Sequence, residues 1–135
     1  MGYKIDGIEG IGPVYGAKLV KAGIKTTDGF LKACAARKGR KAVAEKTGIS
    51  EALLLEWANH ADLMRIKGVG PEFSDLLEAA GVDTVKELRK RKPASLVAKL
   101  AEVKEAKKLT RVTPSLSQVE QWVAEAQDLP PVITH

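Results

Sequence analysis

The sequence predicts an all-α domain, and three observations predict it. Apolar residues recur at helical spacing along most of the chain, strand signals are nearly absent, and one helical unit is written twice. The two copies are IEGIGPVYGAKLVKAGI (8–24) and IKGVGPEFSDLLEAAGV (66–82), offset by 58 positions. Ile8, Gly10, Gly12, Pro13, Leu19, Ala22, Gly23 and Thr26 match Ile66, Gly68, Gly70, Pro71, Leu77, Ala80, Gly81 and Thr84. Ile11 further pairs with Val69, Tyr15 with Phe73, and Ile24 with Val82.

Each copy opens on a Gly-x-Gly-Pro corner. Gly12 and Gly70 supply backbone freedom there, and Pro13 and Pro71 suit the first position of a helix, where no amide hydrogen is needed. Tyr15, Leu19 and Ala22 then fall on one helical face, as do Phe73, Leu77 and Ala80. Gly23 and Gly81 stand where a left-handed residue ends a helix. A second helix follows each copy, starting at Thr26 or Thr27 in one case and at Thr84, with a capping-box Glu87, in the other. Residues 49–64 place Leu54, Trp57, Ala58 and Ala61 on one face. Residues 115–129 do the same with Leu116, Val119, Trp122, Val123 and Ala126, and Ser117 with Glu120 offers a capping box.

The chain has 135 residues, enough for one compact domain (1–135) with a real core. Its 44% hydrophobic and 29% charged residues are those of a globular protein and exclude wholesale disorder. No apolar run approaches a membrane span, and MGYKIDG at the N-terminus lacks the apolar stretch of a signal peptide. Cys34 is the only cysteine, so no internal disulfide forms and a cytoplasmic location is expected. The net charge of +5 and pI near 9.4 lean toward anionic partners. The helix at 49–64 leads directly into the second corner, whereas only seven residues precede the first. The expected organisation is therefore pseudo-twofold. Repeat one (1–48) is completed by the C-terminal helix (115–129), repeat two covers 49–112, and the chain is a monomer or a helix-swapped dimer.

A helix, a hydrophobic-Gly-hydrophobic-Gly corner and a second helix resemble the helix-hairpin-helix motif of DNA repair and recombination proteins, within a SAM-like fold. The match rests on IEGIGP and IKGVGP with their flanking helices. GRKAVAEKTGIS, RIKGVGPEFSDLLEAAGVDTVKEL and TPSLSQVEQWV also look like a bacterial family of unknown function, DUF4332. The motif implies non-sequence-specific DNA binding through the hairpin backbone. Amides at a helix N-terminus and the positive end of its dipole make a phosphate site. The resemblance assigns those donors to Gly10, Ile11 and Gly12, and more weakly to Gly68, Val69 and Gly70. Lys18 and Lys21 follow the first corner with no acid in that helix. Glu72, Asp75 and Glu78 follow the second and would repel a phosphate.

Two basic loops are expected to widen the positive surface, one with Arg37, Lys38, Arg40, Lys41 and Lys46, the other with Arg89, Lys90, Arg91 and Lys92. A thinner cluster holds Lys104, Lys107, Lys108 and Arg111. The expected partner is the phosphate backbone of DNA or RNA; the alternative is a protein, with the corners purely structural. KAVAEKTGISEALLLEWAN resembles a helix-turn-helix, but Glu51, Glu56 and leucines on its second helix are not base-reading residues. Nothing points to an enzyme. His60 and His135 are the only histidines, no Cys–His spacing suits a metal, no cofactor motif is present, and Cys34 reads as a small buried residue.

Overall fold

A computed structural model describes residues 3–8, 10–107 and 113–134. Among these the chain is all-helical: a 3-10 turn at Ile5–Gly7, then α1 (Gly12–Lys21), α2 (Thr27–Cys34), α3 (Arg37–Thr47), α4 (Glu51–Leu63), α5 (Pro71–Ala79), α6 (Val85–Leu88), α7 (Pro93–Lys107) and α8 (Leu116–Asp128). Extended pairing among the described residues is confined to a single antiparallel bridge, Lys4 with Thr26. No described helix is long and apolar enough to cross a membrane.

The duplicated sequence makes duplicated helix ends. At the end of α1, Gly23 (φ 90°) donates to Val20 O and Ile24 to Leu19 O, each at 2.9 Å. At the end of α5, Gly81 (φ 92°) donates to Glu78 O and Val82 to Leu77 O, also at 2.9 Å. Both are paired closing bonds around a left-handed glycine, the termination expected of the repeat. Thr26 caps α2 by accepting from Gly29 N, and Thr84 caps α6 by accepting from Glu87 N. In α8 the reciprocal capping box is made by Ser115 and Gln118, two residues before the expected Ser117 and Glu120. Both pairs satisfy the spacing. The one beside Pro114 is used, because a residue preceding proline is held out of helical geometry and the helix can start as soon as that constraint is past.

The helices bury two successive cores. One gathers Ile5, Ile8, Ile11, Leu19, Phe30, Cys34, Leu54, Trp57 and Ala61; the other gathers Leu63, Ile66, Val69, Leu77, Val85, Leu100, Val119, Trp122 and Ala126. Trp57 packs 5.2 Å from the Tyr15 ring and 6.4 Å from Phe30, while Trp122 packs 5.2 Å from Phe73. This overturns the expected exchange of helices. α8 lies on the second corner, not beside Ile8 and Ile11, and the first corner is closed by α4. Each corner is covered by a tryptophan helix that comes later in the chain, since successive elements pack on their neighbours when short connections let them. The repeats therefore run one after the other, with α4 contributing to both cores.

What returns to the first half is the tail after α8. Thr134 N donates to Ala35 O at 2.9 Å, Arg65 reaches Pro130 O at 2.8 Å, and Val132 and Ile133 pack against the first core. Asp62, buried between the halves, accepts from the first amide of α6 (Val85 N, 2.8 Å) and pairs with Arg65 at 2.7 Å. A buried carboxylate with both oxygens engaged is stable there, whereas one stripped of its partners would not be.

Candidate nucleic-acid interface

The first corner is held from below and open above. Ile8 and Ile11 point into the core, while Gly10 and Gly12 are exposed. Both glycines have positive φ, 92° and 63°, so a side chain at either would be strained. A Cβ on Gly12 would meet nothing within 4 Å; one on Gly10 would come to 3.6 Å from Trp57 Nε1. Ile11, preceding α1, makes no side-chain cap, Pro13 follows, and the first turn of α1 holds no acid. The Gly10 and Gly12 amides take no partner among the described residues. The expected third donor is spent: Ile11 N already donates to Ile8 O at 3.2 Å. One opposing charge was missed, as Asp6 lines the same depression as Gly10 and Gly12.

Along α1 the exposed Lys18 and Lys21 lead away from the corner, and Lys46 at the end of α3 joins them around a depression of about 330 Å³. Lys18 Nζ stands 6.0 Å from the Tyr15 ring centroid. At about 1.5 Å per residue, Gly12 and Lys21 are roughly 14 Å apart along the helix, about four steps of one nucleic-acid strand.

The second corner has the same sequence pattern and different neighbours. Glu125 of α8 sets both carboxylate oxygens 3.3 Å from Lys67 N, and Val69 N donates to Ile66 O at 3.1 Å. Gly70 is extended (φ −96°, ψ −167°), and a Cβ there would sit 3.2 Å from Tyr3 Oη. The Trp122 Nε1 lies 3.3 Å from the corresponding position on Gly68. Glu72 begins the helix. Gly68 is exposed and Gly70 half-buried, so the second corner differs from the first mainly in the acids Glu72 and Glu125 and the Tyr3 ring that stand beside it.

The basic clusters divide. The expected loop around Arg37, Lys38 and Lys41 is helix α3, in which arginines, lysines and alanines outweigh Gly39 between Ala36 and a left-handed Gly48 (φ 77°). Its Arg37, Lys38 and Lys41 are exposed, but Arg40 is only 3% exposed. The Arg40 guanidinium donates to Cys34 O at 3.0 Å, to Ala35 O at 2.8 Å and to Thr134 O, so it closes the end of α2 and anchors the tail. It has no surface left for a phosphate. Lys90 and Lys92 are exposed, whereas Arg91 is engaged by Glu87 at 3.1 Å and by Gly81 O, and the Arg89 carbonyl accepts from Gln127. This second cluster is tied to the second half. Lys108 and Arg111 of the thin cluster lie outside the described residues.

The other singled-out residues are packed. α4 buries Leu54, Trp57 and Ala58 and leaves the acids Glu51 and Glu56 exposed. Burial pushes the Cys34 thiol up to about 11, against the opposing pull of the Arg40 charge, which leaves little thiolate at neutral pH. His60 is buried between the halves, with Nδ1 3.1 Å from Ser74 Oγ and Nε2 2.7 Å from Glu78 Oε2. Burial raises the Glu78 carboxyl above its ordinary range; the His60 ring lowers it, and the charges of Glu56 and Asp75 raise it further. Sequence spacing gave no sign of this group, since His60 is 15 and 18 positions from Asp75 and Glu78.

No curated protein and no solved structure matches the chain. The sequence profile of one family, described as a domain of unknown function, DUF4332, matches residues 9–129. That span takes in both glycine corners and the helices that cover them, and on it the chain belongs to the DUF4332 family.

Proposed function

We propose that the chain is a tandem helix-hairpin-helix module that binds nucleic acid through its phosphates, without reading sequence and without catalysis. The observation that carries this reading is the open first corner. Two exposed left-handed glycines at the start of a helix present amides with no partner among the described residues, with Lys18, Lys21 and Lys46 further along the same surface. Amides at a helix N-terminus favour a phosphate oxygen, and lysines spaced along the helix suit the following phosphates. Gly10 and Gly12 are the backbone donors, with Ile11 as their buried anchor. Arg37, Lys38 and Lys41 on α3, and Lys90 and Lys92 in the second half, add general positive field. Arg40 is not part of the surface, and at the second corner the acids Glu72 and Glu125 oppose a phosphate. The module works in the cytoplasm, where its single thiol stays reduced.

The rival is a protein partner. The carboxylates of Glu56, Asp75 and Glu78 gathered between α4 and α5 favour a basic one.

Binding of duplex DNA and duplex RNA, titrated against salt, tests the proposal. The native protein should show a negative log–log slope. Lys18→Glu with Lys21→Glu should flatten that slope by about two units, near 0.9 for each lost phosphate contact, and weaken binding at least tenfold. Both substitutions lie on exposed positions in the last turn of α1 and should lower the thermal midpoint only slightly, since each charge at a helix end contributes about 0.3–1 kcal/mol. Absence of binding at low salt, or indifference to the charge reversals, would overturn the reading and favour the protein partner.

A further inference from the structure

The His60 group carries an inference independent of the nucleic-acid reading. One ring nitrogen of His60 and one carboxylate oxygen each from Asp75 and Glu78 lie within 4.8 Å of one another. The imidazole comes from α4 and is 3% exposed; the two carboxylates come from one face of α5, three positions apart, and are half-buried.

The hydrogens around the ring can be assigned from the network. Ser74 Oγ donates its only hydrogen to Pro71 O at 3.0 Å. The 3.1 Å contact with His60 must then be Nδ1–H donating to Ser74 Oγ. Nε2 is left facing Glu78 Oε2 at 2.7 Å. Both atoms carry lone pairs, so at this distance a proton lies between them, and a metal ion would take the proton's place. Asp75 meanwhile makes no hydrogen bond or ion pair among the described residues, although it faces the same group. Two carboxylates thus face one imidazole.

We propose that His60 Nε2, Asp75 and Glu78 form a binding site for a divalent transition-metal ion of the zinc class, which joins α4 to α5 and holds the two halves of the domain in register. Imidazole nitrogen and carboxylate oxygen are ligands such ions take at about 2.0–2.2 Å. Two ligands at that distance in a tetrahedron are about 3.3 Å apart, so Nε2 and Oε2 need to open by only about half an ångström. The Nδ1–H bond to Ser74 is the outer-shell contact that fixes which ring nitrogen is offered, and a metal-ligating histidine needs such a contact. Half-buried carboxylates leave a side open for water as the remaining ligand.

The test uses the full-length protein, stripped with a chelator and titrated with zinc alone by calorimetry, with imidazole resonances followed by NMR. His60 and His135 are the only histidines, so two ring signals cover every possibility. One equivalent of zinc should bind, the His60 signals should shift while those of His135 stay put, and the thermal midpoint should rise with free zinc. Asp75→Asn should cut affinity at least tenfold without changing the midpoint of the metal-free protein. Glu78→Gln should abolish binding while its amide still donates to Nε2, so the variant remains folded. No uptake of zinc would overturn the proposal, leaving a proton shared between His60 and Glu78. Uptake that shifts His135, or that survives both substitutions, would overturn it as well.

Discussion

Gly12 and Gly70 stand at the same place in the repeat and in different surroundings. Gly12 is left-handed, exposed and clear of neighbours; Gly70 is extended, beneath the Tyr3 hydroxyl, with Glu125 engaging the amide of nearby Lys67. The helix that follows is the same in both, down to its paired closing bonds at the far end. The duplication thus reproduces what is local: where a helix begins, where it stops and which face it buries. Whether the corner can receive an anion depends on side chains brought from elsewhere, and these differ between the halves.

The largest expected effect tests the similarity of the two halves. Trp57→Ala and Trp122→Ala each remove the aromatic that covers a corner, and each should cost about 3–5 kcal/mol in urea denaturation. A much smaller loss at one of them would show that the halves are not equivalently closed and would break the comparison at its base.

The next effect sharpens the difference. Gly12→Ala puts a side chain on a left-handed residue and should cost about 1–2 kcal/mol in the same measurement. Gly70→Ala introduces no such strain and should stay within about 0.5 kcal/mol, provided the Tyr3 hydroxyl swings aside. Equal losses would mean that the two corners are conformationally alike after all.

Glu125→Gln weakens the acceptor facing Lys67 N and takes a negative charge from the second corner. Stability should fall by less than about 1 kcal/mol, while duplex affinity rises two- to threefold as that corner becomes accessible to phosphate. Unchanged affinity would assign the closure to Tyr3 and Trp122 instead. Smallest of all, Asp6→Asn should raise affinity about twofold at low salt, the size of one exposed charge interaction. A fall would mean that Asp6 orders the first corner rather than opposing its ligand.

Much of the fold was legible because its signals are local. Pro13 and Pro71, the left-handed Gly23 and Gly81, the threonine caps and the periodic faces of α1, α4, α5 and α8 each act within a turn or two of the chain. The partner of α8 was not legible. Trp57 and Trp122 carry equivalent patterns, and either helix could have covered either corner as far as periodicity goes. Arg40 was misread for a related reason: a basic residue among basic neighbours looks like surface until the carbonyls of Cys34, Ala35 and Thr134 converge on it. The same holds for α3, where a charged stretch that read as a loop is helical despite Gly39 and stops at a left-handed glycine.

The sequence by itself determined an all-α chain with a repeated Gly-x-Gly-Pro corner, since backbone freedom, capping and helical periodicity depend on residues close together in the chain. Tertiary structure alone decided that α4 and α8 each close the corner before them, that Glu125 and Tyr3 stand beside one corner and not the other, and that His60 meets Asp75 and Glu78. Those outcomes turn on which distant side chains arrive at the same few ångströms. That depends on how whole helices pack, and no local pattern encodes it.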